Sequence, residues 1–405
     1  MVKVRFAPSP TGIPHVGNIR TALFDFCFAK SQGGIFVLRI EDTDQARKVE
    51  GAVDKIKESL EWLGAAWDEY VTQSERLDTY KSYAKELVSK GLAKEEEGAV
   101  RFITPTDGKT VWTDAVGNKE ISFENKDIED FIILKKDGFP TYHLANVIDD
   151  HLMEVTHVIR GEDWIPSAPK HIMLYEAFGW KTPVFAHVPN VLGTDGKKLS
   201  KRKGARSVLD YKSDGILPEA LFNYLMLLGW SPKDDREILS RETIEKEFLL
   251  ENVNTAPAIF DERKLLWMNG EYIRSMNLED LGQRLIEFDP EIPSIQNFEQ
   301  YIPLAQTRMK TLKEFRMLAE NKDDTALNEK QMVFAQKLIE RYSVLENWEK
   351  ETLLKESFEI RDQVECSTKD LYIVLTGKNQ GLPLAEKLEI DGKEKTISWL
   401  QKITK

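Results

Sequence analysis

Cysteine is scarce. Cys27 and Cys366 are the only two in 405 residues, too far apart in sequence to suggest a disulfide framework or a metal-ligand pattern. A reducing cytoplasm is the setting expected. Long apolar runs are missing as well: no stretch of about 18 apolar residues occurs, which argues against a membrane-spanning helix. The N-terminus lacks the basic-then-apolar layout of a signal peptide. Positive charge is not in excess, with 56 Lys and Arg against 68 Asp and Glu, a net charge of −12. That argues against a generic basic nucleic-acid coat. A local basic face can still hold a polyanion, because the field near a patch matters more than the total. Internal repeats, low-complexity tracts and a Walker GxxxxGK[ST] loop are all absent. Of the six histidines, His143, His151, His157, His171 and His187 show no metal-ligand spacing and read as structural, so no metal site is expected.

What remains is an ordinary globular composition, 41% hydrophobic and 31% charged. The length suggests two to three domains of about 150 residues each. Val2 to Ala7 reads as a short strand. From Asn18 onward Ile19, Ala22, Leu23, Phe26 and Ala29 recur at helical spacing, and Gly33-Gly34 ends that helix. GIFVLRIEDTD (34–44) reads as a second strand running into an acidic turn. Val49, Val53, Ile56, Leu60 and Leu63 mark a second helix. Strand–helix–strand–helix is the start of a parallel α/β fold. Another helix is expected over roughly 75–90. Residues 93–135 alternate apolar and polar with turn signals and read as a small β-rich insertion. Strands in VTHVIRGEDW and VFAHVPNVLG (184–193), with a helix near 167–178 between them, restore the α/β character. Past 206 the strands fade and helical periodicity dominates to the end.

Two loops attract attention. In FAPSPTGIPHVGNIR (6–20) a strand hands over to a helix, whose free N–H groups make an anion site. In a parallel sheet, ligands sit beyond the carboxyl ends of the strands. His15 would donate to a phosphate oxygen, Gly17 would let a ligand approach the backbone, and the prolines would stiffen the turn. The same residues also fit a rigid capped turn and nothing more. In TDGKKLSKRKG (194–204) glycines flank five basic residues. This suits a polyphosphate whose charge grows during transfer, or equally a solvated basic loop.

Together, PSPTGxxHxG after the first strand and a later KLSKR resemble the class I aminoacyl-tRNA synthetases, and within them the glutamyl-tRNA synthetase family. His15-Val16-Gly17-Asn18 stands at the family's HIGH motif and Lys198-Leu199-Ser200-Lys201-Arg202 at its KMSKS motif. RIEDTD (39–44), FPTYHLANVIDDH (139–151), VIRGED (158–163) and LTGKNQGLPLAEKLEIDGKE (375–394) match too, so the resemblance covers nearly the whole chain. It implies an α/β protein. A Rossmann-type catalytic domain over 1–205 would carry an acceptor-arm insertion at about 84–135. A stem-contact helical domain over 206–290 and a helical anticodon-binding domain over 291–405 would follow. The implied reaction is ATP-dependent attachment of L-glutamate to the 3' end of glutamate tRNA, through a glutamyl-adenylate, with release of pyrophosphate and AMP. Mg2+ would accompany ATP. By resemblance His15, Lys198 and Lys201 are catalytic. Pro8, Ser9, His15, Gly17, Asn18, Asp163, Trp164, Leu192, Lys198, Ser200, Lys201 and Arg202 would hold ATP. A tRNA-binding or tRNA-modifying paralogue is the alternative; the helical C-terminal region and the intact basic loop count against it.

Glutamate has two carboxylates and one ammonium. Arg5 and Arg160 are matched to carboxylates by their planar forks, and Glu41 to the ammonium. All three fall at expected strand ends. By resemblance Ala7, Ser9, Tyr142 and Asn146 complete the pocket. Plainer readings stand beside these: an Arg5–Glu41 structural ion pair, Tyr142 as core packing, and Asp42, Asp44, Asp149 and Asp150 as turn and helix-cap residues. A buried cation left unpaired would penalise glutamine against glutamate.

The chain departs from the family's pattern at LAKEEEGAVR (92–101). Relatives are longer there, and some carry a cysteine-based zinc site; no zinc is expected here. Arg308, Lys310, Lys313 and Lys378 are candidates for tRNA contact or ordinary solvated residues. No residue is assigned to the third anticodon base, so charging of glutamine tRNA is left open. A monomer is the family expectation.

Overall fold

The apolar opening of the chain forms β1 (Lys3–Phe6), and the helical pattern after it forms α1 (Val16–Ser31). β2 (Ile35–Ile40), α2 (Ala52–Trp62), β3 (Glu69–Thr72) and α3 (Leu77–Ser89) follow. This computed structural model describes residues 1–199, 206–323 and 325–405. β1, β2 and β3 pair in parallel in that order. α1 is buried almost all round, with Ile19, Leu23, Phe24 and Cys27 fully enclosed, as expected of a helix that is apolar on more than one face.

The insertion is antiparallel. β4 (Ala93–Glu96), β5 (Ala99–Phe102) and β8 (Phe131–Leu134) make one small sheet, and β6 (Lys109–Asp114) and β7 (Lys119–Glu124) make a hairpin. Strict alternation of buried and exposed residues along β6 marks a half-buried strand. Parallel architecture then resumes. α4 (Tyr142–Leu152) leads to β9 (His157–Gly161), and α5 (Ala168–Phe178) connects that strand to its parallel partner β10 (Val184–Val188). β11 (Val191–Leu192) pairs with the distant β12 (Ala258–Ile259). Between them lie α6 (Val208–Ser213), α7 (Pro218–Leu227) and α8 (Arg241–Glu247).

The join between the two halves positions the site. Thr156 N–H donates to the Lys3 carbonyl at 2.9 Å, and Lys3 N–H donates to Thr156 Oγ1 at 2.9 Å. These bonds hold β1 beside β9 at their starts, and no ladder continues between them among the described residues. From β1 the chain builds outward through β2 and β3; from β9 it builds the other way. This is a topological switch point, where the carboxyl ends of the strands leave a crevice.

The chain divides into two compact units: Met1–Ser213 with Pro218–Leu265, and Asp214–Leu217 with Leu266–Lys405. Within the second, α9 (Glu262–Ser275) ends and α10 (Leu278–Phe288), α11 (Phe298–Gln306), α12 (Glu314–Ala319), α13 (Glu329–Val344), α14 (Lys350–Gln363), α15 (Thr368–Thr376), α16 (Leu384–Asp391) and α17 (Lys393–Ile403) follow. Its core gathers Phe334, Leu338, Leu353, Leu371, Val374 and Leu400. Capping boxes at Asn328/Gln331 and Ser367/Asp370 start α13 and α15, each satisfying orphan N–H groups at a helix start. The α/β-then-helical order read from the sequence is the order observed. No helix is long and apolar enough to cross a membrane among the described residues.

Candidate active site

The crevice at the ends of β1 and β9 is a cavity of about 450 Å³. β1 delivers Arg5 and, past its end, Ala7, Pro8 and Ser9. The residue after β2 is Glu41, and the start of α1 brings His15 and Asn18. β9 contributes Arg160, and the turn after it Trp164. On α4, Tyr142, Asn146 and the Asp149-Asp150 pair follow a four-residue rhythm, which aims one helix face at the strand ends.

The floor is a network of buried charge. Arg5 Nε donates to Asp150 Oδ1 at 2.9 Å, and Arg39 Nη1 donates to the same oxygen at 2.6 Å. Arg39 Nη2 donates to Glu41 Oε1 at 3.0 Å, and Asn146 Nδ2 reaches that oxygen at 3.0 Å. Burial opposes ionisation of Asp150, but Arg39 and Arg5 more than offset it and hold the carboxyl below the ordinary aspartate value. For Glu41 burial outweighs the same two arginines, and its pKa is raised. The Arg5–Glu41 pair considered from the sequence is therefore not formed: Arg5 pairs with Asp150, and Glu41 with Arg39. Asp149 and Asp150 are not caps either. Asp149 accepts from Gln73, Arg76 and Tyr80 at 2.8–2.9 Å. Asp42 staples its loop to Ser74, and Asp44 pairs with Arg47 in a short turn.

Arg160 is different. It is 6% exposed, and the partners of its guanidinium are neutral. Nε donates to His187 Nε2 at 3.1 Å, Nη1 to the Tyr142 hydroxyl at 3.2 Å, and Nη2 to the Trp164 carbonyl at 3.3 Å. Nη1 also faces His171 Nδ1 at 3.3 Å. No carboxylate lies within ion-pair distance of it among the described residues, and burial lowers its pKa. Arg5, Arg39 and Arg160 thus stand against Glu41 and Asp150, while Asp149, which also acts on Arg39, is matched by Arg76. Asp25, also on the lining, does not cancel the surplus: burial raises its pKa well above the ordinary value, so it favours the neutral form. A cavity with one guanidinium in surplus attracts an anion.

At the other end, His15 is the N-cap of α1, and its Nδ1 accepts from Gly17 N–H at 3.1 Å. That bond leaves the ring proton on Nε2, the nitrogen that would donate to a phosphate oxygen. A Cβ on Gly17 would lie 2.9 Å from His15 Cε1. The glycine makes room for the imidazole, a reason distinct from the ligand approach expected of it. Asp163, Leu192 and Lys198 lie together outside the cavity lining. Lys198 Nζ pairs with the Asp163 carboxylate, and Leu192 bridges Lys198 across a tight hairpin. Ser200, Lys201 and Arg202 lie outside the described residues.

Arg39 and Asp25 are not singled out in the sequence; Asp150 reads there as a turn or cap residue, and His171 and His187 around Arg160 as structural. For Arg39 and Asp150 a signal existed. Arg39 and Glu41 are two apart at a strand end and so share a face, and Asp150 lies eight residues from Tyr142 on one helix face.

Comparisons with known proteins agree with this architecture. The sequence model for the catalytic domain of class I tRNA synthetases (E and Q) matches residues 1–97 and 91–267, and an anticodon binding domain model matches 278–404. A glutamate–tRNA ligase of Dehalococcoides mccartyi is 44% identical over 370 residues, covering 78% of this chain and 76% of that protein. One of Protochlamydia amoebophila is 38% identical over 474 residues, covering 99% and 93%. The crystal structure of a glutamate tRNA ligase from Elizabethkingia meningosepticum, in complex with its amino acid, superposes with a TM-score of 0.84 at 31% identity, covering 100% of this chain and 99% of that one. With His15, Gly17 and Asn18 at the switch point and family models matched along most of its length, the chain belongs to the class I tRNA synthetases of the glutamyl and glutaminyl branch.

Proposed function

We propose that the protein is a glutamate–tRNA ligase, activating L-glutamate with ATP and passing it to the 3' end of glutamate tRNA. The observation that carries the amino-acid assignment is Arg160, a buried guanidinium without a carboxylate partner among the described residues. The side-chain carboxylate of glutamate would complete it, with Tyr142 alongside and Arg5 opposite. Glutamine offers no charge and would leave the cation uncompensated. Glu41, fixed by Arg39 and Asn146, would take the ammonium, with Ala7 and Ser9 against the backbone of the amino acid.

A carboxylate oxygen of glutamate then attacks the α-phosphorus of ATP and pyrophosphate leaves. His15 Nε2–H, at the positive end of α1, is assigned to the phosphate oxygens where charge builds. Lys198 and Lys201 are assigned the same task from the basic loop, with Ser200 and Arg202 in support. Pro8, Gly17 and Asn18 frame the nucleotide at the start of α1; Asp163, Trp164 and Leu192 would flank its adenosine. No protein nucleophile is required, because positioning and charge stabilisation carry the step. Among the described residues no three His, Cys, Asp or Glu side chains converge as metal ligands. Mg2+ would accompany the ATP and neutralise part of its phosphate charge. In the second step a ribose hydroxyl of the terminal adenosine attacks the carbonyl carbon and AMP leaves. Residues 206–290 are assigned to stem contact and 291–405 to the anticodon, within a region whose family match begins at 278. A monomer in the cytoplasm, where Cys27 and Cys366 stay as thiols, completes the reading.

The test is charging of labelled glutamate, in parallel, onto purified glutamate tRNA and glutamine tRNA with ATP and Mg2+. Charging of the first alone means a discriminating ligase; charging of both means loose anticodon reading. Charging of neither sinks the assignment in favour of a tRNA-binding or tRNA-modifying paralogue.

A further inference from the structure

We infer that His187 and Asp114 are positioning residues for Arg160, and that the β-rich insertion thereby helps set glutamate recognition. The proposal rests on the reading of Arg160 given above.

A lone arginine on a strand end can rotate about four side-chain torsions, so a carboxylate fork needs its guanidinium plane held. Tyr142 and the Trp164 carbonyl hold the Nη end, at 3.2 and 3.3 Å. The Nε end is held by His187 Nε2 at 3.1 Å. Nε is a donor, so His187 must accept there, and its proton must sit on Nδ1. What fixes that tautomer is Asp114: Oδ2 lies 2.5 Å from His187 Nδ1, while Oδ1 accepts the backbone N–H groups of His187 and Val116 at 3.0 and 3.1 Å. Both side chains are almost wholly buried, so water offers no substitute partner. Asp114 ends β6, within the inserted hairpin, whereas His187 is on β10 and Arg160 on β9. The relay thus runs from the insertion, through the parallel sheet, to the cavity.

The charges that face His187 agree. Burial favours its neutral form, as do Arg160 from β9 and, more weakly, Arg5 from β1; Asp114 from β6 pulls the other way, and the ring's pKa is lowered on balance. From α5, His171 is likewise kept neutral, chiefly by burial. A protonated His187 would lose the lone pair that Arg160 needs and place a second cation beside it.

Four variants, assayed by steady-state charging at saturating tRNA, test the relay: His187→Phe, His187→Gln, Asp114→Asn and Arg160→Met. Glutamine in place of His187 keeps an acceptor near the Nε2 position, so it is the conservative variant. For His187→Phe the KM for glutamate is expected to rise about tenfold or more, with the KM for ATP changed by less than about twofold. His187→Gln should recover most of that loss, and Asp114→Asn should fall between. Unchanged KM for glutamate overturns the proposal, and so does a KM for ATP that rises in step, because that marks a merely structural role. If His187→Phe does not fold, Asp114→Asn decides by the same criteria, with His187→Gln expected to stay near the parent. Arg160→Met separates the two levels. If it leaves the KM for glutamate unchanged, the reading of Arg160 falls and takes the relay with it. If it raises that KM and His187→Phe and Asp114→Asn do not, only the relay falls.

Discussion

Asp25 sits on α1 beneath the cavity, fully buried, with neither carboxylate oxygen hydrogen-bonded within the protein. Burial is the chief cause of its raised pKa; Arg5 pulls it down, and Asp150 pushes it up. The folded protein therefore keeps a proton on Asp25 at pH values where the unfolded chain, with an ordinary aspartate, has lost it. Stability must then fall as pH rises from the unfolded value near 4 toward the raised one. Asp25→Asn is neutral at every pH and removes this term. It is expected to match the parent near pH 4 and to be the more stable by about 1–2 kcal/mol at pH 8, or about 2–4 °C in Tm. Thermal melts of both proteins across that range check it, and a constant difference between them would exclude the mechanism. Residues of this kind also mark what the sequence could and could not yield. Arg5, Glu41 and Arg160 were legible because a strand end is a local feature and a fork that matches a carboxylate is a property of one side chain. The choice of Asp150 over Glu41 as the partner of Arg5 was not legible, because it depends on α4 crossing the strand ends 145 residues later.

Helices and strands could be read as far as their signals were local. The Pro-rich turn and the start of α1 were placed correctly because the change of period and the capping side chain sit within a few residues. The element predicts its own sensitivity. Gly17→Ala would put a methyl 2.9–3.0 Å from the His15 ring and turn the imidazole away from the phosphate side. A loss of about 10²–10³ in kcat is expected, the scale of removing one charge-stabilising donor, with the KM for glutamate little changed. Steady-state kinetics separates these, and full kcat in the alanine variant would show that His15 does not need this orientation. At the end of α15, Gly377 adopts φ +73°, and a Cβ there would lie 2.3 Å from the Lys322 carbonyl oxygen. Gly377→Ala should therefore cost about 1–3 kcal/mol through left-handed strain and the displaced carbonyl. Urea unfolding would reveal it. The LTG motif was visible in the sequence, but its reason is tertiary: the close approach of Lys322.

At the scale of the whole molecule, the distribution of charge bears on where a tRNA would be held. The chain carries a net charge of −12, yet the second unit has a cavity of about 760 Å³ with Arg308, Lys310, Arg316, Lys322 and Lys378 on its lining against Glu314 and Glu320, Arg316 being paired with Asp289 and Glu320. Composition alone understated this, because a sum over 405 residues hides a local field. Two of the candidate contacts already have partners within the unit. Lys378 Nζ donates to the carbonyls of Met317 and Glu320 at the end of α12, and Lys313 pairs with Asp214 at 3.0 Å. Arg308 and Lys310 are exposed on the cavity rim. Chain length also bears on the expected tRNA contacts. A Dehalococcoides mccartyi relative aligns over 466 positions, more than this chain's 405 residues, so at least about 60 of those positions have no counterpart here. The catalytic-domain model, moreover, matches in two runs that overlap at 91–97, the stretch that holds β4. If the positions without a counterpart belong to the acceptor-arm insertion expected from the sequence, a larger share of tRNA binding should fall on the second unit. Arg308→Ala combined with Lys310→Ala is therefore expected to raise the KM for tRNA by about tenfold while leaving the KM values for ATP and glutamate unchanged. The salt dependence should respond as well: each lost phosphate contact should reduce the slope of log KM for tRNA against log salt by nearly one. An unchanged slope together with a raised KM would mean that these residues read bases and not phosphates. An unchanged KM would move the tRNA contact off this cavity altogether.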